Sequence, residues 1–368
     1  MNTHGDPALE TLMLPFVNGA LTWPAQGGAL FLRARDGAPL HRQPWPGLVC
    51  EQRFKPEADA LQRSGLSLGA NTDSMLDDRM ADGRIAEESM RYPLVLVLPP
   101  RQREEARALL ARAIAQAAPA GVVVACMANT EGARAGETDL TRLAGPLRTL
   151  SKHHCRVFWT GPLHGVVDPA LAAEWIAADA PRPIAQGRFL SRPGVFAWNR
   201  IDAASALLAA HLPADLSGRG ADLGAGYGYL AAEVLSRCPA VTAIDLYEAE
   251  ARALALARSN LTPFAARATL AFHWHDVTAG LAQRYDFIVT NPPFHAQTRA
   301  DRPDLGRAFI AAAADALQPG GRLLLVANRH LPYESVLAAR FGSVRTLVQQ
   351  RGFKAIEAIK VPASQTLR

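Results

Sequence analysis

The sequence predicts an α/β protein built on doubly wound sheets and divided into two domains. Three observations carry that expectation: the length, the alternation of short apolar runs with helix-period segments, and a glycine-rich turn directly after one such run. A chain of 368 residues exceeds one ordinary domain. Strands that alternate with helices pair in parallel, because each return crossover is a helix.

The elements read as follows. Leu94 to Leu98 is a buried strand ended by Pro99-Pro100, Gln102 to Ala117 has helical apolar spacing, and Gly121 to Met127 is the next strand. Arg156 to Thr160 is another strand. The stretch from Ala178 to Pro193, with Pro181, Pro183, Gly187 and Pro193, reads as a linker. It divides a first domain, residues 1–185, from a second, residues 186–368. In the second, a helix from about Ala203 to His211 precedes a strand at Gly220 to Leu223. Helix Tyr229 to Arg237, strand Val241 to Ile244, helix Ala249 to Ser259 and strand Ala268 to His273 continue the alternation. Strand Tyr285 to Thr290 leads to Asn291-Pro292-Pro293-Phe294, and helix Asp304 to Leu317 ends at Pro319-Gly320-Gly321. Strand Arg322 to Ala327, helix Glu334 to Arg340 and two closing strands, Val344 to Gln349 and Lys354 to Lys360, complete the domain. The two halves are candidates for distant copies of one fold.

Composition narrows the class. With 49% hydrophobic and 20% charged residues the chain is of ordinary globular type, and its formal charge of +5 permits a polyanionic partner. No apolar segment approaches membrane-spanning length, and residues 1–7 carry no secretory pattern, so no membrane role is expected. Cys50, Cys126, Cys155 and Cys238 are scattered without paired spacing, which fits a reducing cytoplasm and argues against a zinc ribbon. His153-His154-Cys155 is read as extended chain whose neighbours point to opposite faces, so no metal is expected. The sequence does not address oligomeric state.

Two motifs carry chemistry. Gly224, Gly226 and Gly228, in Asp222-Leu223-Gly224-Ala225-Gly226-Tyr227-Gly228, allow backbone conformations and close approaches that a Cβ would obstruct. Asp222 at the strand end is an acceptor for a ligand amine. Asp245, taken to end the next strand, stands where an acidic residue reaches ribose hydroxyls, and Asp276 after the third strand suits an adenine amino group. A nicotinamide or flavin site is disfavoured, because Tyr229 occupies the place of the third glycine in the dinucleotide fingerprint. The plain alternative is a tight turn with two capping aspartates.

The second motif is Asn291-Pro292-Pro293-Phe294. Its prolines stiffen the loop, so the Asn291 side-chain oxygen and the Pro292 carbonyl are held as acceptors for the two N–H donors of a planar amino group. Phe294 offers a face for stacking a base. Together the motifs point to methylation of a planar nitrogen using S-adenosyl-L-methionine. His295 and Gln297 follow the loop, and Arg299, Arg302, Arg307 and Arg329 near this mouth are candidates for phosphate contacts.

Arg192-Pro193-Gly194-Val195-Phe196 resembles the entry to the catalytic domain of the ribosomal RNA guanine-N2 methyltransferases, small subunit methyltransferase C and its large-subunit relative. The run Val326-Ala327-Asn328, Leu331-Pro332-Tyr333 and Phe341-Gly342, with Gly352-Phe353-Lys354, is similar to that family's C-terminal signature. The resemblance implies tandem methyltransferase-like domains, the amino-terminal one degenerate and serving RNA orientation or stability. It also implies an S-adenosylmethionine-dependent enzyme acting on guanine N2 of ribosomal RNA, 16S first, in naked RNA or a subunit precursor. Asn-Pro-Pro-Phe is shared with adenine-N6 and glutamine methyltransferases. Those readings stay open, as do 23S guanine N2, a small-molecule acceptor and a non-catalytic RNA-binding assembly factor. The sequence departs from the family at Pro100-Arg101-Gln102-Arg103 and at Ala225.

Overall fold

A computed structural model describes residues 5–69, 90–293 and 303–361. The chain separates into two compact units, one of residues 1–180 with Arg192–Gly194, the other of Pro181–Ser191 with residues 195–368.

The first unit holds strands β1 (Ala29–Leu32), β2 (Leu48–Glu51), β3 (Tyr92–Val97), β4 (Ala117–Ala128), β5 (Leu147–Lys152) and β6 (Cys155–Thr160). They form one sheet in the order β2-β1-β3-β4-β6-β5, parallel except where β6 runs against β4 and β5. Leu9, Leu12 and Met13, from the first helix and its cap, pack with Phe31, Leu96, Val124 and Val157. Leu110, Ile114, Leu140 and Trp175 belong to a second cluster with Val95, Val123 and Phe158. Each fully buried Leu or Phe contributes about 1.5–3 kcal/mol relative to exposure.

The second unit opens with a small antiparallel hairpin, β7 (Arg182–Ile184) and β8 (Phe189–Ser191). The segment read as a linker is therefore structured. Its sheet follows, with β9 (Gly218–Leu223), β10 (Val241–Glu248), β11 (Thr269–Trp274), β12 (Tyr285–Thr290), β13 (Leu317–Asn328), β14 (Ser343–Gln350) and β15 (Phe353–Ile359). The order is β11-β10-β9-β12-β13-β15-β14, and only β15 is antiparallel to its neighbours. Ile288, Leu323, Leu325 and Ile356 from this sheet share a core with Phe309, Ile310 and Ala313 of the helix Pro303–Ala316. Gly220 faces Phe287 across β9 and β12, and an added Cβ would overlap the Phe287 ring. That close approach is why a glycine sits inside a strand.

The two sheets share a strand plan. Reading β2-β1-β3-β4-β6-β5 against β10-β9-β12-β13-β15-β14 matches every position, and a lone parallel bridge, Cys50↔Leu68, lies where β11 stands in the second unit. Strand order reverses between β9 and β12, and such a switch point opens a crevice at the carboxyl ends of the strands. Among the described residues, no helix is long and apolar enough to cross a membrane. His153 and His154, with φ of 52° and 57°, form the two-residue turn between β5 and β6 rather than extended chain.

Candidate functional site

Strand register assembles the site. Thr290 of β12 pairs with Leu223 of β9, and Leu223 pairs with Tyr247 of β10. Asn291 and Gly224, the next residues on β12 and β9, therefore leave the sheet beside Glu248, the last residue of β10. Trp274 of β11 pairs with Glu248, which brings Asp276 to the same edge.

The glycine turn adopts the left-handed conformations expected of it, with φ of 71°, 57° and 87° at Gly224, Gly226 and Gly228. Gly224 donates its N–H to the Tyr247 carbonyl at 2.9 Å, and Gly226 donates to Glu248 Oε2 at 2.7 Å. A Cβ on Gly224 would press Phe309 at 3.3 Å and one on Gly228 would press Ala257 at 3.2 Å, whereas at Gly226 nothing among the described residues lies within 4 Å. Two glycines serve packing, and Gly226 borders open space.

Asp222 is 1% exposed. Its Oδ2 accepts from the Ala231 N–H at 3.0 Å in the first turn of the helix Tyr229–Arg237, and its Oδ1 has no partner. Burial pushes its carboxyl up to about 7, helped by the nearby Glu248 charge. Glu248 spends Oε1 on the Glu250 N–H at 2.8 Å, and burial raises its carboxyl above the usual range against the pull of its backbone donors. Asp276 accepts from both Thr278 N and Thr278 Oγ1, at 2.9 and 2.7 Å, and caps its own short turn.

Asn291 is held from behind. Its Nδ2 donates to Asp202 Oδ2 at 3.1 Å and to Ser205 Oγ at 2.9 Å. Asp202 caps the helix Ala203–Ala210 by accepting from Ser205 N at 2.8 Å. Both amide donors are satisfied, which fixes the orientation of the group, and the buried Oδ1 is left without a partner. Pro292 is buried and Pro293 half-buried. Phe294 lies outside the described residues, as do His295, Gln297, Arg299 and Arg302.

One expectation is corrected. Asp245 does not end its strand, because β10 runs on to Glu248 and Asp245 pairs with Ala221 within the sheet. Its carboxylate binds Arg219 Nη2 at 2.7 Å and the Tyr285 hydroxyl at 2.8 Å, and Tyr285 in turn meets Tyr247 at 2.7 Å. The charged residue had suggested a strand end. In fact Leu246 and Tyr247 continue the strand, and ion pairing makes the buried carboxylate tolerable. Sequence reasoning also missed Asp202 and Ser205, although Asp-x-x-Ser before an apolar helix is a capping signal. Asp245→Asn is expected to lower stability on the order of 2 kcal/mol, the scale of a charge-assisted hydrogen bond, and to leave S-adenosylmethionine affinity within about twofold. Thermal melts and calorimetry on the folded variant check both; a large loss of affinity would return Asp245 to the cofactor site.

The carboxylates and open glycine suit S-adenosylmethionine: an unpaired Asp222 oxygen for its cationic end, Glu248 at the end of the second strand, and free space beside Gly226.

The methyltransferase small domain family matches residues 186–357. Ribosomal RNA small subunit methyltransferase C of Shewanella baltica is 29% identical over 269 residues, 73% of this chain and 76% of that protein. Ribosomal RNA large subunit methyltransferase G of Alcanivorax borkumensis is 39% identical over 170 residues, 46% of this chain and 43% of that protein. A solved T. thermophilus 16S rRNA N2 methyltransferase, in complex with AdoMet and guanosine, shares the fold. It has a TM-score of 0.76 and 22% identity, covering 98% of this chain and 93% of that one. The chain has the tandem methyltransferase-like architecture, its residues 186–357 match the methyltransferase small domain family, and it is similar to the ribosomal RNA methyltransferases named small subunit methyltransferase C and large subunit methyltransferase G.

Proposed function

We propose that this protein methylates the exocyclic N2 of a guanine in ribosomal RNA, 16S first, in the cytoplasm. The observation that carries the reading is the Asn291 amide, oriented by Asp202 and Ser205 so that a buried oxygen without a partner stands beside the glycine turn. When bound, S-adenosylmethionine supplies an electrophilic methyl group on a sulfonium. The residues of the chain bind and orient. Glu248 takes the ribose hydroxyls, Asp222 the cationic amino end, and Asp276 the adenine amino group. Asn291 Oδ1 and the Pro292 carbonyl accept the two N–H bonds of the guanine amine. They favour a pyramidal nitrogen whose lone pair points at the methyl group, and they match the positive charge that develops there. The target base is unpaired or flipped out, because a paired amine is already occupied. Phe294 provides the stacking face.

The amino-terminal unit fits a supporting part. Register places Arg33, Gln52 and Leu98 where the second unit has Gly224, Glu248 and Asn291. Arg33 has a φ of 53°, and Gln52 is bound to the Ala34 carbonyl at 2.6 Å. A side chain replaces the glycine, and an apolar residue replaces the amide. We therefore assign the first unit, residues 1–180 with Arg192–Gly194, to RNA orientation or stability, and the second, Pro181–Ser191 with residues 195–368, to catalysis; the division expected at residues 185/186 moves because β7 and β8 pair within the second unit. Mapping methylated guanines in ribosomal RNA from a deletion strain, and restoring them with purified protein, tests the function. An unchanged guanine-N2 pattern would sink it.

Two expected results follow from the carboxylates. Glu248→Ala should weaken S-adenosylmethionine binding by about 1–3 kcal/mol, measured by calorimetry, and an unchanged affinity would remove Glu248 from the ribose site. Asp222 gives a pH signature. Its folded value of about 7 lies above the unfolded value of about 3.9. The ligand-free fold is therefore spared its buried charge below about pH 4 and loses stability as pH rises through the interval to about 7. A cationic ligand reverses the preference. At pH 6 binding should expel protons, read from calorimetry in buffers of different ionisation enthalpy, and affinity should rise from pH 6 to 8. Asp222→Asn should remove most of that release; full release in the variant would show that another group titrates.

A further inference from the structure

A second cavity lies one helix away from Asn291. It has a volume of about 250 Å³ and is lined by Ala203, Ala206 and Leu207 on one side and by Gln350, Arg351 and Phe353 on the other. The helix Ala203–Ala210 supplies both this apolar wall and, through Ser205, the support of the Asn291 amide. The opposite wall is the turn joining β14 to β15. Phe353 pairs with both Gln350 and Asn328, the last residue of β13, so the turn stands at the carboxyl end of the sheet. Arg329 donates its N–H to the Gly352 carbonyl at 2.8 Å, which ties the turn to the chain leaving β13.

Charge is distributed unevenly along these strands. At their amino-terminal edge the guanidinium groups are neutralised, Arg219 by Asp245, Arg322 by Asp215 and Glu357, and Arg345 by Glu357. At the carboxyl end Arg329 and Arg351 are exposed and, among the described residues, have no carboxylate partner. A cleft with an apolar helix wall, a half-buried aromatic ring and the unneutralised Arg351 in its lining, with Arg329 on the chain tied to the same turn, has the make-up of a stacking pocket for single-stranded nucleic acid. A buried carboxylate or a second cation would suit other ligands better, and neither lines it.

We propose that this cavity holds the nucleotide adjacent to the target guanine in the RNA strand. Its base lies against Phe353 and the Ala203–Leu207 wall, and Arg351 and Arg329 meet the flanking phosphates. The proposal rests on the RNA-methyltransferase reading and adds to it a subsite for sequence or strand context. The shared helix makes occupancy of the cavity a way to seat Asn291 against the base beside it.

The test uses the full chain and fluorescence anisotropy with a labelled five-nucleotide single-stranded RNA, a central guanosine flanked by uridines. A second probe carries abasic sites beside the guanosine. The wild-type protein should bind the intact probe about tenfold more tightly than the abasic one. Phe353→Leu, which keeps the apolar packing and removes the ring, should erase that difference. Arg351→Ala should weaken binding of both probes and reduce the slope of log affinity against log salt by about 0.7, one lost single-strand phosphate contact. Equal binding of both probes by the wild type, or unchanged behaviour of Phe353→Leu and Arg351→Ala in variants that melt normally, overturns the subsite. The readout is binding, so the two readings fail separately. Discrimination between probes without any guanine methylation would fail the catalytic assignment, and methylation with no discrimination would fail the subsite.

Discussion

Asn291→Ala is expected to slow single-turnover methyl transfer by about a hundredfold or more while leaving S-adenosylmethionine affinity within about twofold. The asymmetry follows from where the amide is anchored. Its nitrogen is committed to Asp202 and Ser205, and only its oxygen is available to the guanine amine. That contact strengthens as the nitrogen gains positive charge, so its loss falls on the rate rather than on binding of the cofactor. Ala also frees Asp202 and Ser205, but Asp202 retains the Ser205 N–H, so the helix cap persists. Asn291→Asp keeps an acceptor but sets a negative charge against the Asp202 carboxylate, and partial activity is the expected outcome. Rapid-quench measurements with saturating cofactor separate the step from binding. A normal rate in Asn291→Ala would mean that the amide is structural and the mechanism is wrong.

Gly226→Val should abolish measurable S-adenosylmethionine binding, a loss of at least about a hundredfold in affinity. Two effects add. A β-branched residue is a severe misfit at a φ of 57°. Its branches would also project into the space beside the turn, where among the described residues nothing lies within 4 Å of an added Cβ. Gly226→Ala carries the backbone strain with a smaller side chain, and it should lose much less affinity. Calorimetry on both variants, with melting curves to confirm folding, distinguishes strain from obstruction. Undiminished binding in Gly226→Val would move the cofactor away from this turn altogether.

Much of the second unit was legible because its signals are local. Helices Tyr229–Arg237 and Glu334–Arg340 and strand Tyr285–Thr290 have the expected bounds, since apolar periodicity and flanking turns define them. The glycine turn and Asn291 were legible for the same reason. What escaped depends on contacts distant in sequence. Asp202 meets Asn291 from 89 residues away, and Asp245 is tolerated inside β10 only because Arg219 and Tyr285 reach it. Strands β1 and β2, of four residues each, are too short to show a period, and β7 and β8 are shorter still. Pro183 within β7 had argued for a linker, yet among the described residues this strand pairs with β8 alone, at the edge of a small hairpin.

The course of the chain between residues 180 and 195 has a practical outcome for anyone dividing the molecule. Residues 181–191 belong with the second unit, and Arg192–Gly194 belong with the first, where Arg192 is ion-paired to Asp179. No single scission yields both pieces whole. Cleavage after residue 180 would strip Arg192 from the amino-terminal fragment, and cleavage after 194 would strip β7 and β8 from the carboxyl-terminal one. A fragment beginning at residue 186, where the family match begins, would retain β8 without its partner strand and expose the edge that Arg182–Ile184 covers. Truncation to obtain the carboxyl-terminal unit therefore belongs at residue 181, which keeps β7 paired with β8, rather than at residue 186, where the family match begins.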